Sequence, residues 1–195
     1  TSSEVLPEFR EFERTSTTAA NAFLSPRMAV YLDEFLSRME AMSLGATPYT
    51  IHSNGGLMSP DTVRSFPVRT CLSGPAAGVV GAAVVARAAG FPNVVTFDVG
   101  GTSTDVSLIA EGRPGFRLER DVAGYPIKAP TVDVHVIGAG GGSIGWVDAG
   151  GALKVGPQSA GASPGPAAYG GGGRDPTLTD AVSYTHLTLP TMIGV

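Results

Sequence analysis

Residues 97–109 read FDVGGTSTDVSLI. Asp98 and Asp105 bracket two glycines and three hydroxyl side chains, and apolar residues flank the whole. Gly100 and Gly101 carry no side chain, so a phosphate group can approach the backbone N–H donors between two strands directly. Thr102, Ser103 and Thr104 add hydroxyl donors. The aspartates repel phosphate, but a carboxylate can hold a hydrated Mg²⁺ that bridges to phosphate oxygens, or orient a water. The expected chemistry is therefore phosphate binding, with Asp98 and Asp105 in the catalytic and metal-holding roles. Residues Gly100, Gly101, Thr102, Ser103 and Thr104 are the expected phosphate-binding turn. An ordinary tight turn carrying surface hydroxyls is the plain alternative. The chain has no G-x-x-x-x-G-K-[ST] lysine motif, and the run GAGGGS at 138–143 is a poor match to a dinucleotide fingerprint.

Other polar residues carry weaker signals. His52 and Asn54 close a short strand in TPYTIHSNGGLMS, where a turn role is expected for Asn54 and a structural role for His52. Asp133 and His135 stand two apart in PTVDVHVIG, a spacing that puts both on one face of a strand, as ligands or as a structural pair. The N-terminus of the helix in LSGPAAGVVGAAVVARAAGFP is a further candidate anion site.

The elements that position these residues are legible in outline. SPRMAVYLDEFLSRMEAMSLG reads as a helix capped by Ser25, entered at Pro26 and closed at Gly45. Met28, Tyr31, Leu32, Phe35, Leu36 and Met39 form its apolar face. The Ala/Gly/Val helix takes Ser73 or Gly74 as cap and ends at Gly90; Gly78 and Gly81 suggest close approach to a neighbour. Strands are expected on both sides of Gly100–Gly101, at Val132, Val134 and Val136, and in a hairpin around DAGGA. PQSAGASPGPAAYGGGGRDP reads as a loop, either a mobile flap or a lid.

The chain has 195 residues, 43% hydrophobic and 15% charged, enough to build a core. A net charge of -4 disfavours nucleic acid or an anionic membrane as partner. Cys71 is the single cysteine, so no internal disulfide forms and a cytoplasmic setting is expected. No run has the length of a membrane span, and no signal-peptide pattern opens the chain.

Six stretches resemble, in order, the hydantoinase A / 5-oxoprolinase family, which includes N-methylhydantoinase A and acetone carboxylase beta-like chains. They are EFREFERTSTTAANAFLSP, HSNGGLMS, VRTCLSGPAAGVVGA, TFDVGGTSTDVSLI, DVHVIGAGGGSIGWVD and GPQSAGASPGPAAYG. The resemblance implies an α/β chain that is an internal fragment of an actin, sugar-kinase and Hsp70-like ATPase fold, with a mixed sheet and a phosphate hairpin. Asp98, Gly100, Gly101, Thr102, Thr104 and Asp105 would then form the hairpin of the second lobe, with ATP and Mg²⁺ as cofactors. The first-lobe hairpin is absent, so the fragment alone is expected to be inactive.

The resemblance implies an ATP-dependent hydrolase that opens a small cyclic amide (hydantoin, 5-oxoproline or a related lactam) through carbonyl phosphorylation. It also implies a hydantoinase B-like partner subunit or domain. The alternatives are a subunit of an ATP-dependent acetone or acetophenone carboxylase, and a nucleotide-gated clamp that transforms no substrate. The partial domain is expected to occupy residues 1–181. Residues 182–195, VSYTHLTLPTMIGV, depart from the family and resemble a translated sequencing adapter, so Tyr184 and His186 are excluded from any site.

Overall fold

A computed structural model describes residues 1–188. In chain order the elements are α1 (Ser2–Val5), α2 (Glu11–Ala41), β1 (Thr50–Ile51), β2 (Leu57–Met58), α3 (Pro60–Ser65) and α4 (Ser73–Ala88). Next come β3 (Val94–Val99), β4 (Thr104–Ala110), β5 (Arg113–Pro114), β6 (Phe116–Arg117), β7 (Arg120–Val122), β8 (Tyr125–Ile127) and β9 (Thr131–Val132). The chain continues through β10 (His135–Ile137), β11 (Ser143–Val147), β12 (Leu153–Ser159) and α5 (Leu178–Thr188). This is the α/β class the sequence implies. The chain divides into two compact units, one of residues 1–94 and 107–134, the other of residues 95–106 and 135–195.

The first unit holds the apolar cores. Ala76, Val79 and Ala83 of α4 pack on Ile109, Val132 and Val134. Leu32 of α2 packs on Met58 and Val63, with Met28 alongside. A third cluster joins Val68, Ile127 and Ala129. Full burial of an aliphatic side chain of this size stabilises by about 1.5–3 kcal/mol, and Ile109 and Val63 are 0% exposed.

Four expectations about the helices are corrected. Ser25 does not cap α2: the helix begins at Glu11 and runs through Ser25 and Pro26 to Ala41, ending before Gly45. Ser25 Oγ donates to the Asn21 carbonyl, one turn back, as a mid-helix serine does. Of the expected apolar face, Leu32 and Met28 reach the core, while Tyr31 and Phe35 stack on each other with ring centroids 6.1 Å apart and remain exposed. α4 is preceded by Leu72 at φ 61° rather than by a Ser73 or Gly74 side-chain cap, and Gly90, at φ 85°, ends it as expected. A Cβ at Gly78 or Gly81 would meet nothing within 4 Å, so the expected close approach at these glycines is not found, and α4 packs through Ala76, Val79 and Ala83.

In the second unit the buried side chains include Thr104, Ser143 and Thr177, polar and small rather than apolar. β10 pairs antiparallel with β4, setting His135 opposite Val106, Val136 opposite Asp105 and Ile137 opposite Thr104. β3 flanks β4 on the other side. β11 and β12 form the hairpin expected around DAGGA, its turn held by Asp148 Oδ1, which accepts from Gly150 N–H and Ala152 N–H. The expected single strand over 132–136 is split. Thr131–Val132 pairs with Phe116–Arg117, and His135–Ile137 pairs with β4. α5 crosses the expected boundary at Ala181 and continues to Thr188; the rest of the tail, 189–195, lies outside the described residues.

Candidate functional site

The turn between β3 and β4 is closed by Gly100 N–H donating to Ser103 O at 2.8 Å. Gly100 and Gly101 do not have left-handed backbones, so the need for glycine is one of space, not of φ. A Cβ at Gly100 would crowd Ser103 O at 3.2 Å, whereas one at Gly101 would meet nothing within 4 Å. The N–H groups of Gly101, Thr102 and Ser103 make no hydrogen bond within the described residues. Unpaired donors on successive residues form the kind of concavity that accepts an anion. Thr102 is exposed and Ser103 half-buried, and neither hydroxyl has a partner among the described residues.

Thr104 differs from the sequence reading. It is 5% exposed, and its Oγ1 donates to Ala139 O at 2.6 Å. Its hydroxyl proton serves the fold and is not available to a phosphate.

Asp98 is exposed on β3 and Asp105 half-buried on β4. Asp105 Oδ1 is buried and has no hydrogen-bond partner. An orphaned carboxylate oxygen is costly unless a cation or a water meets it, so Asp105 fits a role beside a hydrated cation. No group of three or more His, Cys, Asp or Glu side chains among the described residues forms a metal cluster. That donor set suits Mg²⁺, which keeps most of its waters and takes one or two carboxylates, and does not suit a site made wholly of protein ligands.

A second layer carries the hairpin, and sequence reasoning missed it. The glycine run at 138–142 lies against the turn: Gly141 N–H donates to Gly100 O at 2.8 Å and Gly142 N–H to Gly101 O at 2.7 Å. Gly100 O and Gly101 O are thereby satisfied, while the N–H groups of Gly101, Thr102 and Ser103 have no partner among the described residues and Gly140 lies against Ser103 N. The glycine run is held in its turn by the start of α5, where Thr179 N–H donates to Gly141 O at 2.8 Å. Asp180 anchors that start by accepting from Ala168 N–H, Thr177 N–H and Thr177 Oγ1. The Ala168 N–H bond is the main cause holding the Asp180 carboxyl below its ordinary pKa. The signal was present in the sequence, since Thr177-Leu178-Thr179-Asp180 has the [ST]-x-x-[DE] form of a helix start.

The sequence profile described as hydantoinase/oxoprolinase matches residues 14–185. The chain belongs to the hydantoinase/oxoprolinase family. It is 44% identical to caprolactamase subunit alpha of Pseudomonas jessenii over 178 residues, covering 91% of this chain and 26% of that one. The crystal structure of the ATP-dependent caprolactamase from the same organism is similar at a TM-score of 0.71 and 40% identity, covering 92% and 26% of the two chains. A nucleotide-free structure of acetone carboxylase, from work on ATP-dependent acetone carboxylation, is similar at a TM-score of 0.72 and 30% identity, covering 90% and 25%. The 5-oxoprolinase of Saccharomyces cerevisiae is 39% identical over 195 residues, covering 97% of this chain and 14% of that protein. The chain thus spans about a quarter or less of each of these relatives.

Of the remaining candidates, Asn54, His52 and Asp133 have partners within the chain. Asn54 Oδ1 accepts from Gly56 N–H, and His52 Nδ1 accepts from Asn54 N–H. Burial first, and Arg69 second, push the His52 pKa down, which keeps the ring neutral as that bond requires. Asp133 forms an ion pair with Arg117 Nε, while His135 is exposed on β10. Burial raises the pKa of the Cys71 thiol, the opposite of an activated nucleophile. The Pro/Gly loop is tied rather than loose: Ala160 N–H donates to Gly142 O, Gly165 N–H to Ala160 O, and Ala168 N–H to Asp180. No helix among the described residues is long and apolar enough to cross a membrane.

Proposed function

We propose that this chain is the phosphate-hairpin part of an ATP-dependent hydrolase that opens small cyclic amides, with residues 1–181 forming part of an ATPase lobe of the actin, sugar-kinase and Hsp70-like kind. The observation that carries the reading is the turn at 100–103, with three adjacent unpaired N–H donors, followed on β4 by Asp105, whose buried Oδ1 has no hydrogen-bond partner. The names of the relatives supply the substrate class, since caprolactamase and 5-oxoprolinase both act on lactams.

A lactam resists water because its nitrogen lone pair is delocalised into the carbonyl. ATP, when bound, would supply a phosphoryl group to the carbonyl oxygen, activating the carbon so that two waters in turn break its C–N bond and release phosphate, leaving an amine, a carboxylate and ADP. The residues of this chain position and neutralise. The N–H groups of Gly101, Thr102 and Ser103 and the hydroxyls of Thr102 and Ser103 would hold phosphate oxygens. Asp105, and Asp98 from the neighbouring strand, would hold the waters of Mg²⁺, which would offset the phosphate charge. Thr104 holds the turn in place from beneath through Ala139 O.

A hydantoinase B-like subunit is the expected partner, because two relatives are named as subunits, caprolactamase alpha and acetophenone carboxylase gamma. The expected setting is the cytosol. An acetone-type carboxylase is the second reading, favoured by the likeness to acetone carboxylase. The test is ATP turnover by the full-length protein with its partner subunit. Release of ADP in step with ring opening of caprolactam or 5-oxoproline supports the hydrolase. Turnover that requires bicarbonate and a ketone selects the carboxylase, and turnover indifferent to both kinds of substrate overturns the enzyme reading.

A further inference from the structure

The structure points to Gly140 as the residue that sets the shape of the phosphate hairpin, with Asp180 as the anchor behind it; both are positioning residues, and the inference rests on the phosphate reading of the turn. A Cβ at Gly140 would stand 2.6 Å from Gly100 O, 2.6 Å from Ser103 N and 2.7 Å from the Thr102 carbonyl carbon. All three are backbone atoms of the turn itself, so no side chain can rotate away and the turn has to move. Gly140 has no left-handed φ, so alanine there is opposed by contact alone.

Its neighbours differ in a graded way. A Cβ at Gly142 would meet Gly101 O at 3.0 Å and Ser159 Oγ at 3.1 Å, tight but outside the forbidden range. A Cβ at Gly141 would press on Thr179 Oγ1 at 2.6 Å, a side-chain atom that can turn aside. At Gly138 it would meet nothing within 4 Å. Gly140 is itself fixed, since its N–H donates to Ser143 Oγ at 2.9 Å, its carbonyl accepts from Ser143 N–H at 2.9 Å, and Ser143 is 1% exposed. Behind this, the Thr179 N–H to Gly141 O bond transmits the placement of the start of α5, which depends on the three hydrogen bonds Asp180 accepts.

The proposal predicts an order of effects that general destabilisation does not produce. In the ¹⁵N-labelled chain, Gly140→Ala speeds amide exchange at Gly100, Gly141 and Gly142 tenfold or more and weakens Mg·AMP-PNP binding, read from hairpin amide shifts, by at least tenfold. Gly142→Ala has a smaller effect, and Gly141→Ala and Gly138→Ala stay within twofold of wild type. Asp180→Ala, which leaves the hairpin sequence untouched, speeds exchange at Thr179 and Gly141 and weakens binding. Asp180→Asn keeps an acceptor oxygen and restores both in large part; this pair decides the matter if Gly140→Ala fails to fold. Equal binding and exchange in Gly138→Ala and Gly140→Ala, or in Asp180→Ala and wild type, overturns the inference. Wild-type hairpin amides that ignore Mg·AMP-PNP while the exchange order holds leave the positioning role supported and remove the phosphate reading.

Discussion

Replacing Thr104 by valine keeps the shape and removes only the hydroxyl that donates to Ala139 O at 2.6 Å. Thr104 is 5% exposed, so water does not replace the lost bond. A neutral hydrogen bond contributes about 0.5–1.5 kcal/mol net, and an acceptor left unsatisfied costs about 1–3 kcal/mol. Ala139 is half-buried, so the middle of that range, about 2 kcal/mol, applies. The added methyl returns about 0.8 kcal/mol by burial. The expected net loss is about 1 kcal/mol, equivalent to a fall in Tm of about 2–4 °C for a domain of this size. Thr102→Val makes the same chemical change two residues earlier, where the side chain is exposed and the hydroxyl unpartnered. That variant is expected to keep wild-type stability within about 0.5 kcal/mol and to lose nucleotide affinity severalfold. Urea unfolding gives the first quantity and titration with Mg·AMP-PNP the second. The reasoning is refuted if Thr104→Val is as stable as wild type, or if the two variants exchange their effects.

Asp98→Asn and Asp105→Asn in the full-length protein are expected to leave folding intact and to lower ATP turnover by orders of magnitude, acting on kcat more than on KM because the charge they offset is greatest during phosphoryl transfer; wild-type turnover in both would leave the hairpin a tight turn. Ile109→Ala empties a fully buried position between α4 and β9 and is expected to cost about 2–5 kcal/mol in urea unfolding. Asp180, whose carboxyl is held below its ordinary pKa first by the Ala168 N–H, stabilises the start of α5 fully at neutral pH; that support fades as pH falls through the ordinary carboxylate range and below. Amide exchange at Thr179 and Gly141, compared between pH 6 and pH 3 and corrected for intrinsic rates, measures this, and Asp180→Ala removes the pH dependence. Truncation after Ala181 is expected to leave Tm within about 2 °C, since residues 182–186 are exposed or half-buried; a larger fall would mean that residues 182–188 belong to the fold.

The strands around the hairpin were legible because apolar runs, Val94, Val95 and Phe97 before it and Leu108 and Ile109 after it, flank an unmistakable pair of glycines. The start of α2 was not legible. Ser25-Pro26 is a strong local start signal, but the helix already formed upstream absorbs it through the Ser25 Oγ bond to Asn21 O. The break between β9 and β10 was hidden for a similar reason. Val132, Val134 and Val136 keep strand periodicity, while the partners that divide them, β6 and β4, lie far off in sequence. Thr104 and its neighbour Ser103 look alike as letters, and only the placement of Ala139 O, 35 residues later, separates a structural hydroxyl from a free one. The glycine run at 138–142 was recognisable as glycine-rich, but its function depends on contact with a turn some forty residues earlier, which composition does not encode.

The central claim is that the turn at 100–103 and Asp105 meet a metal-bound nucleotide phosphate, and paramagnetic broadening tests it most directly. With Mn²⁺ in place of Mg²⁺, substoichiometric Mn·AMP-PNP added to the ¹⁵N-labelled chain is expected to broaden the amides of Gly100 to Asp105 first, while core amides such as Leu32 and Val63 stay sharp. Broadening that begins elsewhere, or that spares the hairpin at nucleotide concentrations where other amides respond, would contradict the account.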